Sequence, residues 1–306
     1  MSVSDMSFER WQSREASTWT FQVFQKHNRE LSRMHISHIA AYEYIYKNLG
    51  KNAQWEDPAS KHFQFKDETQ EYTFESIRGW SDSFNDFNNW TNLNSVMAMS
   101  SNLETYLSTV IKLALESDVG VLFGAKKRID GIEIIKHGRS QPFNFEDKII
   151  SCTKGEWGSR TNAFEKIFGR VPELLASNIS RLEKLRKLRN NVGHAFGRDI
   201  ESSQSHNVID TVDMHKLKRE KTLEYQKLIF GIAKAIDMQL LNDHIGEYQT
   251  LYFYHNLRPN LKHDDSNHDR KMGNHMAILK KKLGQFGAAK AGKKFCRELI
   301  TYYEAL

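Results

Sequence analysis

The stretch NLNSVMAMSSNLETYLSTVIKLALES (92–117) decides the fold. Leu103, Tyr106, Leu107, Val110 and Leu113, with either Ile111 or Leu115, fall at three- and four-residue spacing. That is one broad apolar face, the mark of a helix that buries one side. The same period appears on both flanks. Residues 19–47 carry Trp19, Val23, Leu31, Met34, Ile39, Tyr42 and Ile45 at helix-like spacing, and LEYQKLIFGIAKAIDMQLL (223–241) sets Tyr225, Leu228, Ile232, Ile236 and Leu240 in register. Further helices are predicted over 158–168, after Pro172, and in the basic region that ends in YYEAL. Four prolines in 306 residues suit long helices, because proline breaks helix interiors.

Polar stretches separate these segments at 48–74, 201–207 and 260–276. IEII (132–135) is too short for periodicity to choose between a strand piece and a helical turn. Tyr72, Phe74, Trp80, Phe84, Phe87 and Trp90 read as packing residues. The expectation is an all-α protein: an antiparallel helical bundle with additional N-terminal and C-terminal helices. Its parts are an N-terminal helical region (1–90), the bundle (91–259) and a basic C-terminal extension (260–306).

Composition narrows the class. Apolar residues make up 39% and charged residues 27%, as in an ordinary globular chain. Glu9, Arg10, Arg14 and Glu15 leave no apolar core for a secretion signal, and VGVLFGA (119–125) is too short to span a bilayer. Cys152 and Cys296 lack partners at metal-ligand spacing and read as buried, reduced thiols. A cytoplasmic protein without a membrane partner is expected.

The net charge of +6 is concentrated. Lys280, Lys281, Lys282, Lys290, Lys293, Lys294 and Arg297 lie between Ile278 and Arg297 with no acidic residue. A second cluster, Arg181, Lys184, Arg186, Lys187 and Arg189, is relieved only by Glu183. Either is a solvated helix face taken alone; together they tilt toward a polyanion such as nucleic acid.

The second cluster runs into RNNVGH (189–194), at the end of NISRLEKLRKLRNNVGHAF (178–196). Arginine five residues before histidine carries no information alone, since Arg33–His38, Arg258–His263 and Arg270–His275 repeat it. Only at Arg189 does asparagine follow directly, a combination expected about 0.05 times by chance in this composition. Leu182, Leu185, Val192 and Phe196 are predicted to form the buried stripe of this helix, with Gly193 and Gly197 loosening or ending it.

The order SNLETYL (101–107), LRKLRNNVGH (185–194) and a further amphipathic helix resembles the HEPN superfamily over roughly 92–245. The resemblance implies an antiparallel helical bundle and a metal-independent endoribonuclease that cuts RNA by 2′-hydroxyl attack and needs no cofactor. It implies Arg189, Asn190 and His194 as catalytic residues, with two protomers building one composite site. It also implies a toxin or defence role, with an antitoxin or regulatory protein as a further partner. Glu104 matches an acidic position in the family's first helix, although the residue taken alone reads as solvent-facing. RNA contacts are expected from Arg186, Lys187, Lys280, Lys281 and Lys282.

The residue types fit this chemistry. Imidazole transfers protons near neutral pH, and guanidinium holds phosphate with a fixed fork of donors. Residues five apart on a helix point about 140° apart and sit about 7.5 Å apart along the axis. Arg189 and His194 of one chain therefore need a second chain or a distortion at Gly193 to meet, and the dimer is favoured. Asn190 and His194, four apart, share a face.

Three other readings stand beside this one. Arg189, Asn190 and His194 could simply cap the helix and complement its dipole. The fold could be a non-catalytic HEPN module that binds or regulates a protein, or an RNA-binding protein without cleavage. No metal site is expected: His263, His268 and His275 with Asp264, Asp265 and Asp269 read as surface loop residues. GQFGAAKAGKK (284–294) lacks the order of a phosphate loop.

Overall fold

A helix begins where a side chain can satisfy its first free amides, and Thr18 does this for the first long helix. Its hydroxyl accepts from the Phe21 amide at 3.0 Å. In the computed structural model, residues 8–65, 73–138, 143–207, 209–261, 268–286 and 291–306 are described. Helix α1 spans Trp19–Asn52, and α2 spans Ile77–Ser117. The short α3 (Gly131–Lys136) is capped by Asp130, so IEII is a helical turn. There follow α4 (Glu146–Thr153), α5 (Trp157–Phe168), α6 (Glu173–Ala176), α7 (Ile179–Ala195) and α8 (Ile200–Ser203). Then come α9 (Arg219–Leu240), which runs into a π-turn at Leu241–Ile245, α10 (Tyr248–Leu257), α11 (His268–Leu283) and α12 (Lys293–Ala305). The fold is all-α, and an isolated bridge between Asp118 and Asp130 is the only β pairing among the described residues. Helix α2 passes unbroken through residue 90, the expected end of the N-terminal region.

The chain divides into two compact units, each drawn from separate segments. The first contains residues up to Gln25, Leu103–Leu182 and Phe230–Leu306. Its aromatic centre is Phe21, Phe24, Tyr106 and Phe230, with ring centroids 5.1–6.5 Å apart. Burial pushes the Asp237 carboxyl upward, and Thr18 and Tyr106 donate hydrogen bonds to it.

A second polar centre in this unit surrounds Arg10. Its guanidinium clasps Asp130 through two 2.8 Å bonds and reaches the Ile245 carbonyl at 2.7 Å and the Ser117 hydroxyl at 2.9 Å. Nearby, His244 Nδ1 lies 2.9 Å from a carboxylate oxygen of the buried Asp118. Gly246 lets the chain pass here, because a Cβ would fall 2.3 Å from the Arg10 carbonyl oxygen. Cys152 and Cys296 are buried free thiols, as expected, and burial raises the Cys152 thiol to about 11.

The second unit contains Lys26–Asn102 and Glu183–Ile229. Here α1 and α2 run antiparallel: Tyr46 pairs with Ser81, Tyr42 with Asn85, His38 with Asn88 and His35 with Ser95, at 2.6–3.4 Å. The residues of α1 that bond across this seam, His35, His38, Tyr42 and Tyr46, are spaced by three and four. That spacing keeps one side of a helix against its neighbour along its length. The seam is filled mainly by polar and aromatic side chains, and this overturns part of the expected apolar face. Met34 is 68% exposed and Val23, in the first unit, also faces outward.

Trp80 and Phe84 of α2 pack as expected at one end of this pair, whereas Phe87, also expected to pack, is 49% exposed. Trp80 stacks on Phe63 at 4.5 Å and on Phe84 at 4.7 Å, and Phe84 stacks on Tyr42 at 5.2 Å. Tyr72 lies outside the described residues.

Removing one partner of a buried ion pair leaves the other uncompensated. Arg10→Ala is expected to destabilise the protein by about 3–5 kcal/mol, read as a lower urea midpoint. A loss below about 1 kcal/mol, the range of exposed pairs, would mean that Arg10 does not tie these segments together.

Candidate active site

The second half of α7 belongs to the second unit. Leu182, Leu185, Leu188 and Val192 are buried, so three- and four-residue spacing turns one face inward. Phe196, expected to continue this stripe, does not. It lies past the helix end with φ +55° and its side chain is 55% exposed; Leu188 fills the stripe instead.

The helix ends through its backbone. The Gly197 amide donates to the Asn191 carbonyl at 3.0 Å and the Arg198 amide to the Ala195 carbonyl at 2.9 Å. The backbone turns left-handed at Phe196, a phenylalanine where glycine is usual after a helix. A non-glycine residue there costs about 1–2 kcal/mol. Gly197 follows at φ +80°, and a Cβ on it would fall 2.7 Å from Leu93 Cδ1.

The helix is regular through Gly193, where an added Cβ would touch only Met97 Sδ at 4.0 Å. The distortion considered at Gly193 is therefore absent, and the break lies beyond His194. Within one chain, Arg189 and His194 stay on different faces.

Arg189 and Asn190 are brought together: Arg189 Nη1 donates to Asn190 Oδ1 at 3.2 Å, and both side chains are half-buried. His194 is exposed and makes no hydrogen bond or ion pair among the described residues. Asn190 and His194 share a face by spacing. The Asn190 side chain makes no hydrogen bond to the last carbonyls of the helix among the described residues, and backbone amides close that end.

The remaining candidates divide. Lys184 and Lys187 are exposed on α7, whereas Arg186 is held by the Glu183 carboxylate at 2.9 and 3.1 Å. Lys280, Lys281 and Lys282 are exposed in the last turn of α11, where cations complement the helix dipole, and they belong to the first unit. Glu104 is not solvent-facing. Its side chain is 17% exposed and lies 3.3 Å from both Arg160 and Lys154, so it is committed to packing in the first unit.

Among the described residues no three His, Cys, Asp or Glu side chains are grouped to hold a metal ion, and no helix is long and apolar enough to cross a membrane. His263, Asp264, Asp265 and Lys290, with the side chains of His268 and Asp269, lie outside the described residues. His275 is buried, its Nδ1 3.4 Å from the Tyr254 hydroxyl.

One feature of the second unit escaped the sequence reading. Asn85, Asn88, Asn89 and Asn92 recur along one side of α2 and line a cleft of about 670 Å³. Asn89 clamps an extended segment by donating to the His215 carbonyl at 3.0 Å and accepting from the Leu217 amide at 2.8 Å. Asn92 donates to the Leu217 carbonyl at 3.0 Å. The available signal was NDFNNWTN (85–92), a poorly helix-favouring residue repeated at helical spacing.

No protein-family model, curated protein or solved structure matches the chain.

Gly193→Ala is expected to raise stability by about 0.5–1 kcal/mol, because the backbone there is helical and the space is open. If the site needs no distortion at Gly193, the variant keeps the biochemical activity of the parent. Lost activity in a stabilised variant would show that the helix must open there.

Proposed function

We propose that this chain is a metal-independent endoribonuclease of the HEPN type, with Arg189, Asn190 and His194 as its catalytic residues. One observation carries the reading. An unbroken helix presents the bonded Arg189–Asn190 pair and an exposed His194 on its last turns, outside its packed stripe. The His194 ring makes no hydrogen bond or ion pair among the described residues, so its nitrogens are open to a substrate and can move protons near neutral pH.

Cleavage requires that the 2′-hydroxyl lose its proton as its oxygen attacks phosphorus. The bond from phosphorus to the 5′-oxygen breaks, and that oxygen takes up a proton. The products are a 2′,3′-cyclic phosphate and a 5′-hydroxyl. His194 can accept the first proton and, as the imidazolium, supply the second. Arg189 would stabilise the added charge on the phosphate oxygens, and Asn190 would orient the arginine.

A regular helix leaves Arg189 and His194 of one chain divergent. Two copies related by a two-fold axis can bring the arginine of each to the histidine of the other, which makes two Arg–His combinations per dimer. A homodimer is therefore part of the proposal, with RNA as substrate and the exposed Lys184 and Lys187 contacting its phosphates. A toxin or defence role held in check by an antitoxin or regulatory protein is the wider reading, and it rests on the family analogy alone.

The test is incubation of mixed RNA with the purified protein in EDTA. The parent is expected to cleave, and Arg189→Ala and His194→Ala each to lose about 10²–10⁴-fold. Mixing the two variants should restore about a quarter of parental activity, because half the dimers pair unlike chains and each keeps one intact Arg–His combination. A fully active His194→Ala protein would overturn the site. A mixture as inactive as its components would confine the site to one chain.

A further inference from the structure

We propose that Phe196, Trp90 and Phe87 form a stacking platform for an unpaired base of the RNA, beside the phosphate that Arg189 and His194 engage. This deepens the ribonuclease reading and rests on it.

The first observation is strain without burial. Phe196 holds a left-handed backbone that glycine or asparagine adopts at lower cost, yet the side chain is 55% exposed. Packing against Trp90 and Arg198 covers only part of the ring. A residue held this way at the edge of a site is a candidate for function. Its effect here is to turn a large ring outward two residues after His194, within about 7 Å of extended chain.

The second observation is a row of rings. Phe196 lies 6.1 Å from Trp90 with planes tilted by 32°, and Trp90 lies 5.8 Å from Phe87 at 23°. Phe87 is itself 49% exposed. Near-parallel aromatic faces open to solvent are how proteins hold single-stranded bases, whose faces are covered in a duplex.

The third observation is what surrounds the row. The Arg198 guanidinium lies 5.1 Å from the Phe196 ring centre and also lines the asparagine cleft. Asn85 and Asn88 point their amide oxygens at Tyr42 and His38, so their amide nitrogens remain as donors without a partner among the described residues. Lys216, Lys218 and Arg219 line the same cleft, and with Arg198 these four cations stand among three carboxylates, Asp86, Asp213 and Glu220. Amide donors suit a base edge and cations suit phosphate. An apolar protein partner, or the same face of a second copy, would find amides and charges around the rings instead of aliphatic surface.

The probe is a short single-stranded 2′-O-methyl oligonucleotide of mixed sequence, which cannot be cleaved by 2′-oxygen attack. An otherwise identical abasic strand is the control. Phe196→Asn suits the left-handed backbone and removes the ring, so its melting temperature should match or exceed that of the parent. It is expected to bind the base-bearing strand roughly 5- to 100-fold more weakly, the range of one base–aromatic stack, with unchanged affinity for the abasic strand. Phe196→Trp should retain base-dependent binding.

Equal losses on both strands, no loss on either, or a change only in oligomeric state would overturn the platform. Because the probe is not cut, the two readings fail separately. Base-dependent loss in a protein that never cleaves RNA overturns the ribonuclease alone. Cleavage unaffected by Phe196→Asn overturns the platform alone.

Discussion

Everything proposed for this protein depends on the pitch of α7 and on where that pitch stops. Each residue turns the helix by about 100°, so residues five apart cannot share a face while the helix stays regular. It stays regular through Ala195 and is closed by two successive left-handed residues, Phe196 and Gly197. His194 therefore stands on the last turn, exposed, and cannot fold back onto the arginine of its own chain. The proposed composite site rests on this constraint, and the same helix end turns Phe196 outward.

The closure also directs what comes next. Gly197 has no room for a Cβ against Leu93, and its carbonyl accepts from the His215 amide at 2.8 Å. Asn89 and Asn92 of α2 then fix the segment through Leu217 by hydrogen bonds to its backbone. Elsewhere in the second unit, the α1–α2 seam uses tyrosine, histidine, serine and asparagine at positions usually filled by aliphatics. A polar seam holds register through specific bonds more than through apolar area. The first unit combines a larger apolar core with a buried polar cluster around Arg10.

The fold class was legible because long helical periods survive in the sequence. Leu103, Tyr106, Leu107 and Val110 are buried as their spacing implies. The inner face of α1 was less legible: its seam residues are largely polar, whereas Val23 and Met34 are apolar and exposed, so hydrophobicity pointed partly to the wrong side. Phe196 misled for another reason. Its spacing from Val192 extends a helical stripe, but a left-handed turn intervenes, and composition does not announce phenylalanine in that position. Arg189, Asn190 and His194 were legible as a motif, while the Arg189–Asn190 bond and the regular backbone at Gly193 required coordinates. Glu104 could not be assigned from sequence because its partners, Lys154 and Arg160, lie 50 or more residues away.

The most direct measurement is the chemistry of the RNA ends left by the protein, determined by mass spectrometry after incubation in EDTA. Attack by the 2′-oxygen, with histidine moving the protons and arginine holding the phosphate, leaves a 2′,3′-cyclic phosphate on one fragment and a 5′-hydroxyl on the other. Finding those ends is the expected result. Fragments bearing a 3′-hydroxyl and a 5′-phosphate, or RNA left intact, would contradict the account.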